Sequence, residues 1–273
     1  MQGLHDFIPT EAKADYINQL LKVGFDTIDF GSFVSPKAIP QMRDTAQVLQ
    51  RLQMGTTSSK LLAIVANVRG AEEASQYAEI SYLGFPLSLS ETFQQRNTNK
   101  SIEQAMETLD AIQRICLRHN KILVTYISMG FGNPYGDPYD KETVISFVGR
   151  LSDMGVTIIS IADTIGVSQP DTITYLFENL IPSFPHVEFG AHLHSHPATA
   201  RDKIEAAYQS GCQRFDGAIK GFGGCPMAED DLVGNMATET IVDFLESQHE
   251  AVGIDRELFE QAISQAARVF PLD

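Results

Sequence analysis

The 273-residue chain is long enough for a substantial core, and 43% hydrophobic against 20% charged residues is the balance of a soluble globular protein. A formal charge of -15 argues against nucleic acid and anionic membrane surfaces as partners, since both select basic faces, while leaving room for a local basic patch that meets an anionic substrate. No apolar run reaches membrane-spanning length, no secretory leader is recognised at Met1, and Cys116, Cys212 and Cys225 show no pairing motif, so a cytoplasmic protein is expected.

Short apolar strands alternate with longer amphipathic segments, and no linker or low-complexity tract divides them, so residues 1–273 read as one domain. Pro9-Thr10-Glu11 opens a helix with Tyr16, Ile17, Leu20 and Leu21 on one face, ending at Gly24. A strand follows at 25–30, a helix at 40–52, a strand at 61–66, a short helix at 70–76 and a strand at 78–84. Ser101 caps a helix reaching His119, with Glu103 near the capping-box position. Next come a strand at 121–128, a helix at 141–154, a strand at 156–162 and a helix at 170–180. The remainder reads as a strand at 187–192, a helix at 199–211, a strand at 214–217 and helices at 238–247 and 255–269.

Such alternation predicts an α/β protein with a parallel sheet under a helical layer. Strict alternation over this length suggests a (β/α)8 TIM barrel more than an open doubly wound sheet, and the absence of Gly-x-Gly-x-x-Gly after any strand weakens the nucleotide-binding alternative. Only seven strands are recognisable, and residues 1–8 read as a loop following a strand. The first strand is therefore expected upstream of Met1, or the barrel is open at that place.

In such a barrel the chemistry gathers at the C-terminal ends of the strands. Those ends carry Asp29, followed by Lys37; Tyr126-Ile127-Ser128 before the Gly/Pro-rich loop 130–138; Asp163; His192 and His194; then Cys225 and Asn235. Residues two apart on a strand share a face, so His192 and His194 project together with Leu193 opposite. Two imidazoles so placed can hold one divalent metal, although a His-x-His pair also occurs as plain hydrogen-bonded structure. The glycines and Pro226 around Cys225 exclude helix and central strand, which puts that thiol on a loop. Cys116 and Cys212 read as small buried packing residues.

In combination and in order, Ser32-Phe33-Val34-Ser35-Pro36-Lys37 with Pro40-Gln41-Met42, Asp163-Thr164-Ile165-Gly166, His192-Leu193-His194, Gly223-Gly224-Cys225-Pro226 and Gly234-Asn235 closely resemble the hydroxymethylglutaryl-CoA lyase family over nearly the whole chain. The resemblance implies a barrel that holds magnesium or manganese through His192, His194 and Asn235, with His192 also close to the reaction. It implies Cys225 as the acid that quenches the acetyl-CoA enolate, Asp163 near the substrate hydroxyl, and Asp29, where relatives carry Glu, supporting the cation end. Lys37 and Asn97 are the implied contacts for hydroxymethylglutaryl-CoA or a similar acyl-CoA, and a homodimer is the expected assembly. The family's first strand ends in an Arg-Asp pair, and Met1-Gln2-Gly3 resembles the residues just after it, so both are expected to be missing from this sequence. Ser195-His196 stands where many relatives have Asp-Thr, and His196 reads as exposed or as lying behind the ligands. Two other readings stay open: a barrel that condenses acetyl-CoA with a 2-oxo acid, and a non-catalytic barrel that binds acyl-CoA or a partner subunit.

Overall fold

The structure is a computed structural model and describes residues 1, 4, 6–223 and 233–270. Along the chain run α1 (Thr10–Val23), β1 (Thr27–Ser32), α2 (Thr45–Leu49), β2 (Lys60–Ile64), α3 (Val68–Ser75), β3 (Ile80–Ser88), α4 (Glu91–Thr98), α5 (Ile102–Arg118) and β4 (Ile122–Ser128). They are followed by α6 (Lys141–Asp153), β5 (Ile158–Ala162), α7 (Pro170–Ser183), β6 (Glu188–His192), α8 (Pro197–Gln209), β7 (Arg214–Asp216), α9 (Thr238–Ser247) and α10 (Arg256–Val269). The strands form one seven-stranded sheet in sequential order, each parallel to the next. Among the described residues β1 and β7 are its two edges, so the expected seven-stranded barrel is present as an open cylinder. No described helix is long and apolar enough to cross a membrane.

Alternation along each strand sorts the side chains. Leu61, Ala63, Leu83, Phe85, Leu123, Ile127, Ile159, Ile161, Phe189 and Ala191 face outward into the main core beneath the helices. Leu62, Tyr82, Val124 and Ile158 pack together on the inner face, with Ile64 and Tyr126 against them. Above this plug the register places Tyr126 beside Ser160, Ser160 beside Gly190, and His192 beside Asp216. The inner wall thus turns polar toward the C-terminal ends of β4 to β7. Gly190 is required there: a Cβ on it would lie 2.3 Å from Ser160 Oγ.

The helical layer closes the circle that the sheet leaves open. α1 packs on α10 through Tyr16, Val23, Phe259, Ala262 and Phe270. The Gln19 amide donates to the Leu258 carbonyl at 3.1 Å, and Asp255 N donates to Val23 O at 2.8 Å.

Several predicted elements differ in detail. The helix expected at 40–52 is a 3-10 turn, Pro40–Met42, followed by the shorter α2. Its polar residues are turned inward: Lys13 pairs with Asp44 at 2.7 Å, and Gln41 takes Ile8 N at 2.9 Å and donates to Asp6 O at 2.7 Å. β3 runs past Gly84 through Pro86, whose missing N–H reads in sequence as a stop. α4 is an addition, polar enough to show no helical apolar stripe, and Ser90 caps it by accepting from Phe93 N. The capping box of α5 uses Gln104 in place of Glu103: Ser101 Oγ accepts from Gln104 N at 3.2 Å, and Gln104 Oε1 accepts from Ser101 N at 3.0 Å.

Candidate active site

His192 is the last residue of β6 and projects inward beside Asp216. Its Nδ1 lies 3.2 Å from Asp216 Oδ2, which also accepts from Ser160 Oγ at 3.2 Å, while Arg214 Nε stands 4.0 Å from Oδ1. Burial alone would raise the Asp216 pKa, but the His192 bond and the charges of His192 and Arg214 hold the carboxyl below its usual range. An ionised carboxylate only accepts, so His192 Nδ1 carries the hydrogen and donates it to Asp216, which leaves Nε2 of the neutral ring as its lone-pair donor. The Tyr126 ring meets His192 edge-on, with centroids 5.4 Å apart.

His194 lies beyond the strand, where it forms an isolated bridge with Asn235. Met236 N donates to Leu193 O at 3.0 Å and Ser195 N to Gly234 O at 3.2 Å, which fastens the segment after β6 to the one before α9. The two imidazole centroids are 5.8 Å apart at an interplanar angle of 44°, so the rings adjoin as strand alternation predicts, and Leu193 points into the core. His194 is 4% exposed and its Nδ1 has no hydrogen-bond partner among the described residues. Burial pushes its pKa down to about 4, so the ring is neutral at neutral pH.

Asn235 Nδ2 donates to Phe222 O at 3.0 Å, which commits the donor end of the amide. The glycines of this stretch make the approach possible. Gly221 and Gly223 have φ of 65° and 91°, and a Cβ on Gly221 would stand 2.8 Å from Asn235 O.

Asp29 sits mid-strand on the inner side of β1, its surface open to the cylinder and its carboxyl walled by protein. Burial raises its pKa to about 7, against the charges of the Met1 amino group and His192, with the Asp216 charge adding to the rise. Asp163, at the end of β5, is placed differently. Its carboxylate accepts from Val167 N at 2.8 Å, from Ser168 N at 3.0 Å, from Ser168 Oγ at 2.5 Å and from Lys203 Nζ at 3.0 Å, with a fully buried side chain. Those four bonds tie the carboxylate into the β5–α7 loop and to α8; in sequence the same residue reads as a carboxylate near the substrate hydroxyl.

Lys37 is exposed on the segment after β1, and Asn97 is half-buried on α4 after β3; both follow strand C-termini. His196 is exposed at the start of α8. Cys116 and Cys212 are buried thiols, each with its pKa pushed up to about 12 by burial, as packing residues should be. Cys225 lies outside the described residues. Sequence reasoning missed Asp216 and Arg214, and the only signal for them was their alternation on a strand too short to read as amphipathic.

Among the described residues no three His, Cys, Asp or Glu side chains come together as a metal-binding group. A cation here therefore needs the Asn235 amide as well as the two rings. The donor set suits one: an imidazole held in a single tautomer by a carboxylate, a neutral buried imidazole with an unsatisfied nitrogen, and an amide beside it.

The model of the HMGL-like family matches residues 1–269. The chain belongs to the HMGL-like family. It is 36% identical to the hydroxymethylglutaryl-CoA lyase of Bacillus subtilis over 242 residues, covering 88% of this chain and 79% of that relative. The solved structure of the Bacillus subtilis HMG-CoA lyase superposes with a TM-score of 0.91 at 32% identity, covering 98% of this chain and 89% of the other. An HMG-CoA lyase from Acinetobacter baumannii, solved with coenzyme A and 3-methylmalate, superposes with a TM-score of 0.90 at 29% identity over 98% of this chain and 87% of that one. HMGL-like membership thus rests on the whole cylinder.

Proposed function

We propose that this HMGL-like chain is a divalent-cation-dependent carbon–carbon lyase, which splits hydroxymethylglutaryl-CoA into acetoacetate and acetyl-CoA. The observation that carries the reading is that His192 adjoins His194 at the end of β6 while Asn235, from the segment before α9, bridges to His194, at one rim of a family cylinder. The coenzyme A and hydroxy acid bound by the Acinetobacter baumannii relative support the substrate class.

The reaction is a retro-aldol step. The tertiary hydroxyl gives up its proton and becomes the ketone of acetoacetate. The adjoining carbon–carbon bond breaks, and its electron pair passes to the thioester fragment as an enolate, which takes a proton to become acetyl-CoA. Magnesium or manganese held by His192, His194 and Asn235 would acidify the hydroxyl. Asp216 keeps His192 in the ligating tautomer. Asp29, with a pKa near 7 and open to the cylinder, is suited to accept the hydroxyl proton at neutral pH. Cys225 is the donor to the enolate carbon in this reading, and Lys37 and Asn97 hold the CoA portion.

The test is release of acetoacetate from hydroxymethylglutaryl-CoA by the full chain with magnesium or manganese. Cys225→Ala should reduce kcat by at least ~100-fold, the typical contribution of a positioned proton donor. A wild-type chain that releases no acetoacetate with either cation overturns the proposal.

A further inference from the structure

Lys203 on α8 is a buried ammonium whose three donors are all used. Nζ donates to Asp163 Oδ2 at 3.0 Å, to Gly166 O at 3.0 Å and to His194 O at 2.9 Å. The first two bonds run from α8 to the β5–α7 loop, which Asp163 already organises through Val167 and Ser168. The third crosses to the neighbouring loop. The bridge bonds there, Ser195 N to Gly234 O and Met236 N to Leu193 O, direct the His194 carbonyl away from Asn235. Lys203 meets that carbonyl on the far side. The peptide that carries the ring is thus held between the α9 side and α8.

We propose that Lys203 is a positioning residue for the cation site, which fixes the His194 ring through its carbonyl while Asp163 neutralises the buried charge. The inference rests on His192, His194 and Asn235 being the cation's ligands. A purely structural ion pair would stabilise the fold without affecting cation affinity beyond that, so the two roles separate in paired variants.

The measurement is manganese affinity, read from the free-ion electron paramagnetic resonance signal, alongside the thermal midpoint of the same samples. Lys203→Met should bind manganese about 10-fold more weakly, the lower end of what losing a supporting contact does to a metal ligand. It should also lower the midpoint, because it strands a buried carboxylate. The double variant D163N/K203M should recover the midpoint, having no buried charge, yet keep the weakened affinity. D163N/K203Q, whose side-chain amide can donate to the His194 carbonyl, should regain part of the affinity. If Lys203→Met fails to fold, the two double variants carry the comparison.

Manganese binding by D163N/K203M equal to wild type overturns the inference. A wild-type chain that binds no manganese overturns the ligand reading and this inference together. Binding that follows the expected order in a chain without lyase turnover sinks only the proposed reaction.

Discussion

Burial keeps the His194 ring neutral down to about pH 4, whereas the unfolded chain takes up that proton near 6.5. Between those values the unfolded state binds more protons, so folding stability from this group is full above pH 6.5 and falls as pH drops, by on the order of 3 kcal/mol across the window. Asp29 acts in the opposite sense. Its folded pKa of about 7 exceeds the ordinary 3.8, so the folded state binds the extra proton and stability declines as pH rises through that window. In chelator, wild type should show an acid-side fall in its urea midpoint that H194Q lacks. D29N should gain stability over wild type at pH 8 and little at pH 4. Profiles that superpose on wild type would contradict both assignments. These environments were only partly legible in the sequence. Alternation correctly paired His192 with His194, but the partner of Asp163 is Lys203, 40 residues on, which reads in sequence as one more helical lysine.

Helix ends were more readable than helix roles. Asp140 and Asp255 cap α6 and α10 from positions where turn chemistry marks a start, and Gly24 ends α1 with φ of 94°. α4 left no signal because its residues are nearly all polar, and α2 was overextended because the apolar spacing ignores the inward Gln41 and Asp44. The capping box at Ser101 offers a test at this scale. Ser101→Ala removes the acceptor for Gln104 N and should lower stability by about 1 kcal/mol in urea titration, with no change in acetoacetate release. A loss of activity at unchanged stability would contradict the view that α5 serves only the scaffold.

At the scale of the molecule, the strand-by-strand register was legible because each βα unit packs on the next, and the seven-stranded count was read from the apolar runs alone. The junction of α1 with α10 was not legible, since nothing local signals a contact across the chain. Phe259, fully buried and edge-on to Phe25 at a centroid distance of 5.8 Å, anchors it. Phe259→Ala should lower stability by about 3–5 kcal/mol in a denaturant titration, and hydrogen exchange should speed in α1 and α10 before it does in β3 and β4.

That junction also bears on how the protein is made. The Gln19–Leu258 bond spans 239 residues, so α1 emerges from the ribosome on the order of tens of seconds before its cover exists. Through that interval Tyr16 and Val23 remain a greasy surface that a nascent-chain chaperone can grip, and the circle shuts only once the last helix is released.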